Sequence, residues 1–173
     1  FQKFKESNRI AFFESSISQK VCSNLIVQLD NELKKRERLF KNVKVDDIDK
    51  YNIKSDDNLP RLMIIIDEFH VLFSDEDWDS KALVDAILVD RIIRIGRKFG
   101  IHLVLSTQSL DGIPQNILNN IPLRIALGMT RDESYNFLEM RNDAAANLDR
   151  GIAIYNTKNG SVNHNKKVLV NYI

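Results

Sequence analysis

A single cysteine, Cys22, has no partner for an internal disulfide, and three scattered histidines at 70, 102 and 164 add no zinc-ligand set to it. Excess charge is missing too. Lys and Arg number 25 against 24 Asp and Glu, a formal charge of +1, so the strongly basic footprint of many nucleic-acid-binding domains is absent. No apolar run approaches the roughly 18 residues needed to span a bilayer. None of the six glycines opens a GxxxxGK[ST] phosphate loop, and the first residue is Phe1 rather than Met. These last two absences predict a processed chain or a piece of a longer one. What is present is ordinary: 173 residues, 43% hydrophobic and 28% charged, the composition of a soluble globular domain rather than a disordered chain.

Short β-like runs alternate with longer helical patterns, which predicts an α/β fold with a mostly parallel sheet flanked by helices. A weak run at Ile10–Phe13 precedes a helix over about 19–41, capped by Ser18. Val21, Leu25, Leu29, Leu33 and Phe40 form its apolar stripe, and Glu32 and Arg36 pair at i,i+4 on its wet side. A short helix near Asp46–Tyr51 and a loop to Pro60 follow. Leu62–Ile66 does not alternate, as expected of a strand buried on both faces. Ser74–Asp79 reads as an acidic loop.

A helix over about 79–99 places Leu83, Val84, Ile87, Leu88, Ile92 and Ile95 on one side, and Gly100 ends it. Ile101–Leu105 is the second central strand, Pro114–Asn119 a short helix and Leu123–Leu127 a third strand. Thr130 and Glu133 have capping-box spacing, opening a helix to about Glu139. A C-terminal β-hairpin pairs Ile152–Asn156 with Lys167–Tyr172 around Asn159-Gly160.

Chemistry concentrates at two strand ends. Leu62-Met63-Ile64-Ile65-Ile66 runs into Asp67-Glu68, the Walker B pattern of an apolar strand ending in two carboxylates. The first acid can hold Mg²⁺ through its water shell, and the second can orient or deprotonate an attacking water. Ile101–Leu105 ends in Ser106-Thr107-Gln108, where Gln108 could bond a γ-phosphate or the attacking water. Arg91, Arg94 and Arg97 are spaced i,i+3 on one helix. Arg97 either solvates the helix end or reaches a neighbouring subunit's nucleotide as an arginine finger. Asp67-Glu68-Phe69-His70 also matches a DExH helicase box, but a helicase needs a second motor domain for which the chain has no length. His102 and His164 read as structural.

Together these blocks resemble the FtsK/SpoIIIE family of RecA-like and HerA-like P-loop motors. Leu59-Pro60-Arg61-Leu62 through Asp67-Glu68-Phe69 is similar to the family's LP-hhhhhDEF Walker B. Arg94-Ile95-Gly96-Arg97 leads into Gly100-Ile101-His102-Leu103-Val104-Leu105-Ser106-Thr107-Gln108, like its R-x-x-GIHL-h-h-[AS]-TQ signature. Asn120-Ile121-Pro122-Leu123-Arg124-Ile125-Ala126 is similar to its N-I-P-x-R-I-A segment. Glu37-Arg38-Leu39-Phe40 and Tyr51-Asn52 sit where the family has an arginine-rich helix and a YN pair.

The resemblance covers about residues 20–155 and implies a RecA-like P-loop NTPase core. Residues 1–173 would be a single partial domain, the Walker B half, without its phosphate-loop strand. It implies ATP and Mg²⁺ as cofactors in the complete protein, Asp67 as the Mg²⁺ carboxylate through water, Glu68 as the catalytic carboxylate and Gln108 as sensor. Thr107 would line the nucleotide, and Arg97 would act in trans. The implied machine is a homo-oligomeric ring, a hexamer, at the cytoplasmic face of a bacterial membrane that other parts of the protein would reach. Its expected cargo is double-stranded DNA. Two alternatives are a secreted protein substrate, as in type VII secretion ATPases, and a non-hydrolysing assembly module.

Overall fold

The computed structural model describes residues 18–73 and 80–170. The weak run at Ile10–Phe13 and the acidic loop at Ser74–Asp79 lie outside them.

Helix α1, Gln19–Val43, begins where Ser18 Oγ accepts a hydrogen bond from the Val21 amide and ends at Lys44, whose φ is 57°. It buries Ile26, Leu29, Leu33 and Phe40, spaced three, four and seven residues apart, on one stripe. Arg36 falls in the same stripe and is only 1% exposed. The expected Glu32–Arg36 pair forms at 2.8 Å, but its arginine is inside, not on the wet side. Burial is tolerated because Arg36 Nη1 also donates to Pro60 O at 2.9 Å and Phe99 O at 2.8 Å, so the buried charge is hydrogen-bonded on several sides. Helix α2, Ile48–Lys54, is capped by the Asp47 carboxylate, two residues later than its sequence pattern suggests. Its Tyr51 stacks on Phe40, and Phe99 closes the aromatic cluster.

Strand β1, Leu62–Ile66, pairs in parallel with β2, Ile101–Leu105, from Leu62 opposite Ile101 to Ile66 opposite Leu105. Arg36 bonds the chain just ahead of each strand, so one buried guanidinium holds both strand starts. Between them runs helix α3, Ser80–Ile95, followed by a 3-10 turn, Gly96–Phe99. Gly100 ends that turn at φ 75°, and a Cβ there would stand 2.2 Å from Ile48 Cδ1, so both conformation and space require glycine.

Two expectations about burial are corrected. Met63 and Ile65 of β1 are exposed, because no described element covers that face of the two-stranded sheet. Helix α3 buries Asp85, Ala86, Val89 and Ile92 and leaves Leu83, Val84 and Ile87 exposed. Its sequence is apolar on two sides, and contact with α1 selects the other one.

The C-terminal portion forms a second sheet with its own small core. After α4, Gln115–Asn119, strands β3, Arg124–Ala126, β4, Ile152–Asn156, and β5, Asn165–Leu169, make an antiparallel sheet in that order. The third strand thus pairs with the hairpin and not with the parallel pair. Its ends are trimmed to three residues. The hairpin's second strand starts two residues earlier than expected, after a 3-10 turn at Val162–His164. Asn159 and Gly160 do make the reversal, both with positive φ.

Helix α5, Arg131–Phe137, carries the expected capping box: Thr130 Oγ1 accepts from the Glu133 amide, and the Glu133 carboxylate accepts from the Thr130 amide at 2.8 Å. It stops before Glu139 because buried Arg124 draws the Phe137 and Leu138 carbonyls to its guanidinium, along with Leu118 O and Ile121 O. Burial lowers the Arg124 pKa from its ordinary value, with Glu139 opposing. The architecture is α/β: a small parallel sheet flanked by helices, and a separate three-stranded antiparallel sheet.

Candidate functional site

The parallel register brings the C-terminal ends of β1 and β2 side by side, and with them Asp67-Glu68 and Ser106-Thr107-Gln108. The ladder continues past the strands: the Ser106 amide donates to Ile66 O at 3.0 Å and the Phe69 amide to Ser106 O at 2.9 Å. A rigid sheet therefore presents both motifs at one edge, the place where open α/β sheets bind ligands.

Asp67 is exposed there. Its Oδ1 accepts from Ser106 Oγ and from the Glu68 amide at 3.1 Å, while Oδ2 has no partner among the described residues. One oxygen is thereby oriented and the other left available. Magnesium keeps most of its water shell and takes one or two protein carboxylates, so a single oriented Asp67 with a free oxygen fits it. No cluster of three or more His, Cys, Asp and Glu side chains that could hold a metal outright occurs among the described residues.

Glu68 turns the chain through φ 51°, a left-handed conformation uncommon for residues other than glycine. The turn redirects its side chain toward β2. There Glu68 Oε2 faces the Gln108 amide at 3.4 Å and His70 Nδ1 at 3.3 Å. His70 Nδ1 also lies 2.9 Å from Thr107 Oγ1, whose hydroxyl in turn donates to Ser109 O at 2.5 Å. Asp67, Glu68, Thr107 and Gln108 are thus gathered as the sequence suggests. Two further members have no role legible from sequence: Ser106 as the anchor of Asp67, and His70 as a neighbour of both Glu68 and Thr107. His70 is visible there only as the fourth letter of a helicase-like string, and strand register, which sequence does not show, supplies its contacts.

Arg97 is not part of this group. It lies exposed in the 3-10 turn before β2, at the opposite end of that strand, and has no ion-pair or hydrogen-bond partner among the described residues. The four residue steps of β2 alone put it at least about 13 Å from Gln108 at a rise of 3.3 Å per residue. Its two helical companions are engaged elsewhere. Arg91 bridges Asp30 and Glu37 at 2.5 and 2.6 Å, tying α3 to α1, and Arg94 pairs with Asp90 at 3.4 Å. Despite partial desolvation, those carboxylates raise the pKa of Arg91.

A cleft of about 420 Å³ runs along the edge of β2 that β1 does not occupy. It is lined by His102, Val104 and Ser106 on one side and by Leu123 and Ile125 on the other. Strand β2 pairs only with β1, and β3 only with β4, among the described residues. Both borders of the cleft therefore include strands with an unpaired edge.

Comparison with known proteins places these features in context. The FtsK/SpoIIIE family profile matches residues 8–153. The ESX secretion system protein EccC of Geobacillus thermodenitrificans is 34% identical over 151 residues, which is 84% of this chain and 10% of that protein. YukB, the ESX secretion system protein of Bacillus subtilis, is 34% identical over 137 residues, 76% of this chain and 9% of YukB. The chain thus spans about a tenth of the length of these curated relatives. The structure of the pCW3 conjugation coupling protein TcpA, in its monomer form with ATPγS, superimposes with a TM-score of 0.74 at 22% identity. That match covers 90% of this chain and 45% of TcpA, and it establishes a shared fold.

Proposed function

This chain belongs to the FtsK/SpoIIIE family, and on that premise we propose that it is the Walker B half of an ATP-hydrolysing motor that moves protein substrates in type VII secretion. The observation that carries the choice of cargo is the 34% identity to EccC over 84% of the chain, with YukB at the same level. The family resemblance by itself implies double-stranded DNA as the cargo. The secretion-system relatives favour the protein-cargo alternative, and the Arg94-Ile95-Gly96-Arg97 approach to Gly100 is in keeping with that branch.

In this reading ATP lies at the edge shared by β1 and β2; TcpA, which shares the fold, was solved with an ATP analogue. Mg²⁺ supplies neutralisation of the phosphate charge when bound. Asp67, oriented through Oδ1, would hold the hydrated ion. Glu68 aligns the water that attacks the γ-phosphorus and accepts its proton as the β–γ bridging bond breaks. Gln108, next to Glu68, contacts the γ-phosphate and reports its loss, and Thr107 lines the same site. The cleft beside β2, with its unpaired strand edge among the described residues, would accommodate a strand carrying the phosphate loop. Arg97 serves a neighbouring subunit's nucleotide across a ring, a hexamer, at the cytoplasmic side of the membrane. Its distance from the chain's own Gln108 suits a role in trans and not in cis.

The test is hydrolysis by the full-length polypeptide with two candidate cargoes, a protein exported by the same cell and linear double-stranded DNA. Stimulation by the exported protein and indifference to DNA is the expected result. DNA-stimulated turnover that falls steeply with salt would replace this reading with a DNA pump. No turnover under any condition would leave the non-hydrolysing module.

A further inference from the structure

We propose that His70 is the positioning residue of this site, donating one proton from Nδ1 to Glu68 and Thr107 together and so coupling the carboxylate on β1 to the sensor segment on β2. The inference rests on the ATPase reading above and deepens it.

The direction of the hydrogen bonds follows from counting. A threonine hydroxyl has one proton and two lone pairs. Thr107 Oγ1 gives its proton to Ser109 O at 2.5 Å and accepts from the Ser109 amide at 3.3 Å. The one place left on that oxygen is a lone pair, and His70 Nδ1 lies 2.9 Å from it. His70 must therefore donate, which places a proton on Nδ1. The same proton faces Glu68 Oε2 at 3.3 Å, where a carboxylate can only accept. The backbone around His70 is well anchored. It belongs to a 3-10 turn, Phe69–Phe73, between buried Phe69 and buried Leu72, with Phe69 and Phe73 packed edge to face.

The consequence is mechanical. Glu68 leaves its strand through a left-handed backbone and hangs from one turn. Among the described residues its carboxylate meets His70 Nδ1 and the Gln108 amide, which lie beyond β1 or across the sheet. When Thr107-Gln108 shifts, the shared donor moves toward one acceptor or the other. A change at the sensor is thereby felt at the Glu68 carboxylate through the imidazole as well as through the Gln108 amide. His70 touches no reacting atom in this scheme.

Three replacements separate donation from packing. His70→Phe keeps an aromatic ring and removes the donor; His70→Asn returns an N–H near the Nδ1 position; His70→Gln returns one near Nε2. Measured on the full-length polypeptide, His70→Phe is expected to lower kcat about tenfold or more with KM for ATP little changed, as a misplaced catalytic group does. His70→Asn should recover most of that loss and His70→Gln should not. Glu68→Gln is run beside them. If Glu68→Gln abolishes hydrolysis while His70→Phe turns over at the wild-type rate, or if Asn and Gln rescue alike, the positioning role is overturned and the ATPase reading stands. If Glu68→Gln hydrolyses like the wild type, Glu68 is not the catalytic carboxylate and this inference falls with that assignment; no hydrolysis by the wild type itself would sink the ATPase reading. Nitrogen NMR of His70 in the wild-type chain gives a readout independent of variant folding. A protonated Nδ1 supports the scheme, and a neutral ring protonated only at Nε2 overturns it.

Discussion

Glu68 and Arg97 have opposite relations to the site although both come from the same family resemblance. Glu68 stands among its proposed collaborators, so its removal should separate binding from chemistry. Glu68→Gln keeps size and hydrogen-bonding while losing the basic oxygen. Turnover should fall by about 10²-fold or more, with nucleotide affinity within a few-fold of wild type, by steady-state hydrolysis and equilibrium binding. Loss of binding would make Glu68 structural. Arg97 is exposed at the far end of β2, without an ion-pair or hydrogen-bond partner among the described residues. Arg97→Ala should abolish hydrolysis in assembled rings, and doping with subunits that have Arg97 but carry Glu68→Gln should restore part of it. Absence of that rescue would leave Arg97 as a solvated helix-end cation. Single residues also show the limit of reading by type. Arg36, charged and paired at i,i+4, has every mark of a surface residue, yet it is buried, because its acceptors Pro60 O and Phe99 O are brought to it from 24 and 63 residues away.

At the scale of elements, local chemistry was mostly legible. The Ser18 cap, the Thr130–Glu133 capping box, the Gly100 stop and the Asn159-Gly160 reversal each depend on neighbours within a few residues, and each forms. Faces were less legible. Helix α3 offers apolar residues on two sides, and its amphipathic pattern alone does not say which side meets α1. The capping box gives an element-scale test. The Thr130 amide, then its hydroxyl, holds the Glu133 carboxyl below its ordinary value. Because the folded value is depressed, the capping contribution is full above the ordinary glutamate range and is lost as pH falls through the folded value. The destabilisation caused by Glu133→Ala, followed by urea denaturation, should therefore be clear at neutral pH and shrink on acidification below that folded value. A penalty independent of pH would show that the carboxylate plays no part.

On the scale of the whole molecule, Arg36 tests how the layers are joined. It fastens α1 to the approach of β1 and the approach of β2, and so sets the two strands in the register that aligns Asp67 with Ser106. Arg36→Met keeps most of the volume and strands two carbonyls and Glu32. The expected cost is about 3 kcal/mol in urea denaturation. A change under about 0.5 kcal/mol would mean that water replaces the guanidinium. The exposed side of the parallel pair is also a whole-molecule property. Parallel sheets are ordinarily covered on both faces, and Met63 and Ile65 lie bare at 71% and 63% exposure. With the edge of β2 left unpaired among the described residues, this is the surface the proposed phosphate-loop strand and its helix would cover.

What the sequence determined by itself was whatever depends on near neighbours or on a motif order: the apolar strands, the caps, the family, and the identity of the acids and of the Ser-Thr-Gln triplet. Tertiary structure alone decided the rest. It split the expected sheet into a parallel pair and an antiparallel trio, because β3 found its partner in the hairpin strand β4. It put Arg36 inside, left Arg97 far from Glu68, and gave His70 two acceptors from different strands. Each of these is a contact between distant residues, set by which edges pair and in what register, and a linear pattern does not encode that choice locally.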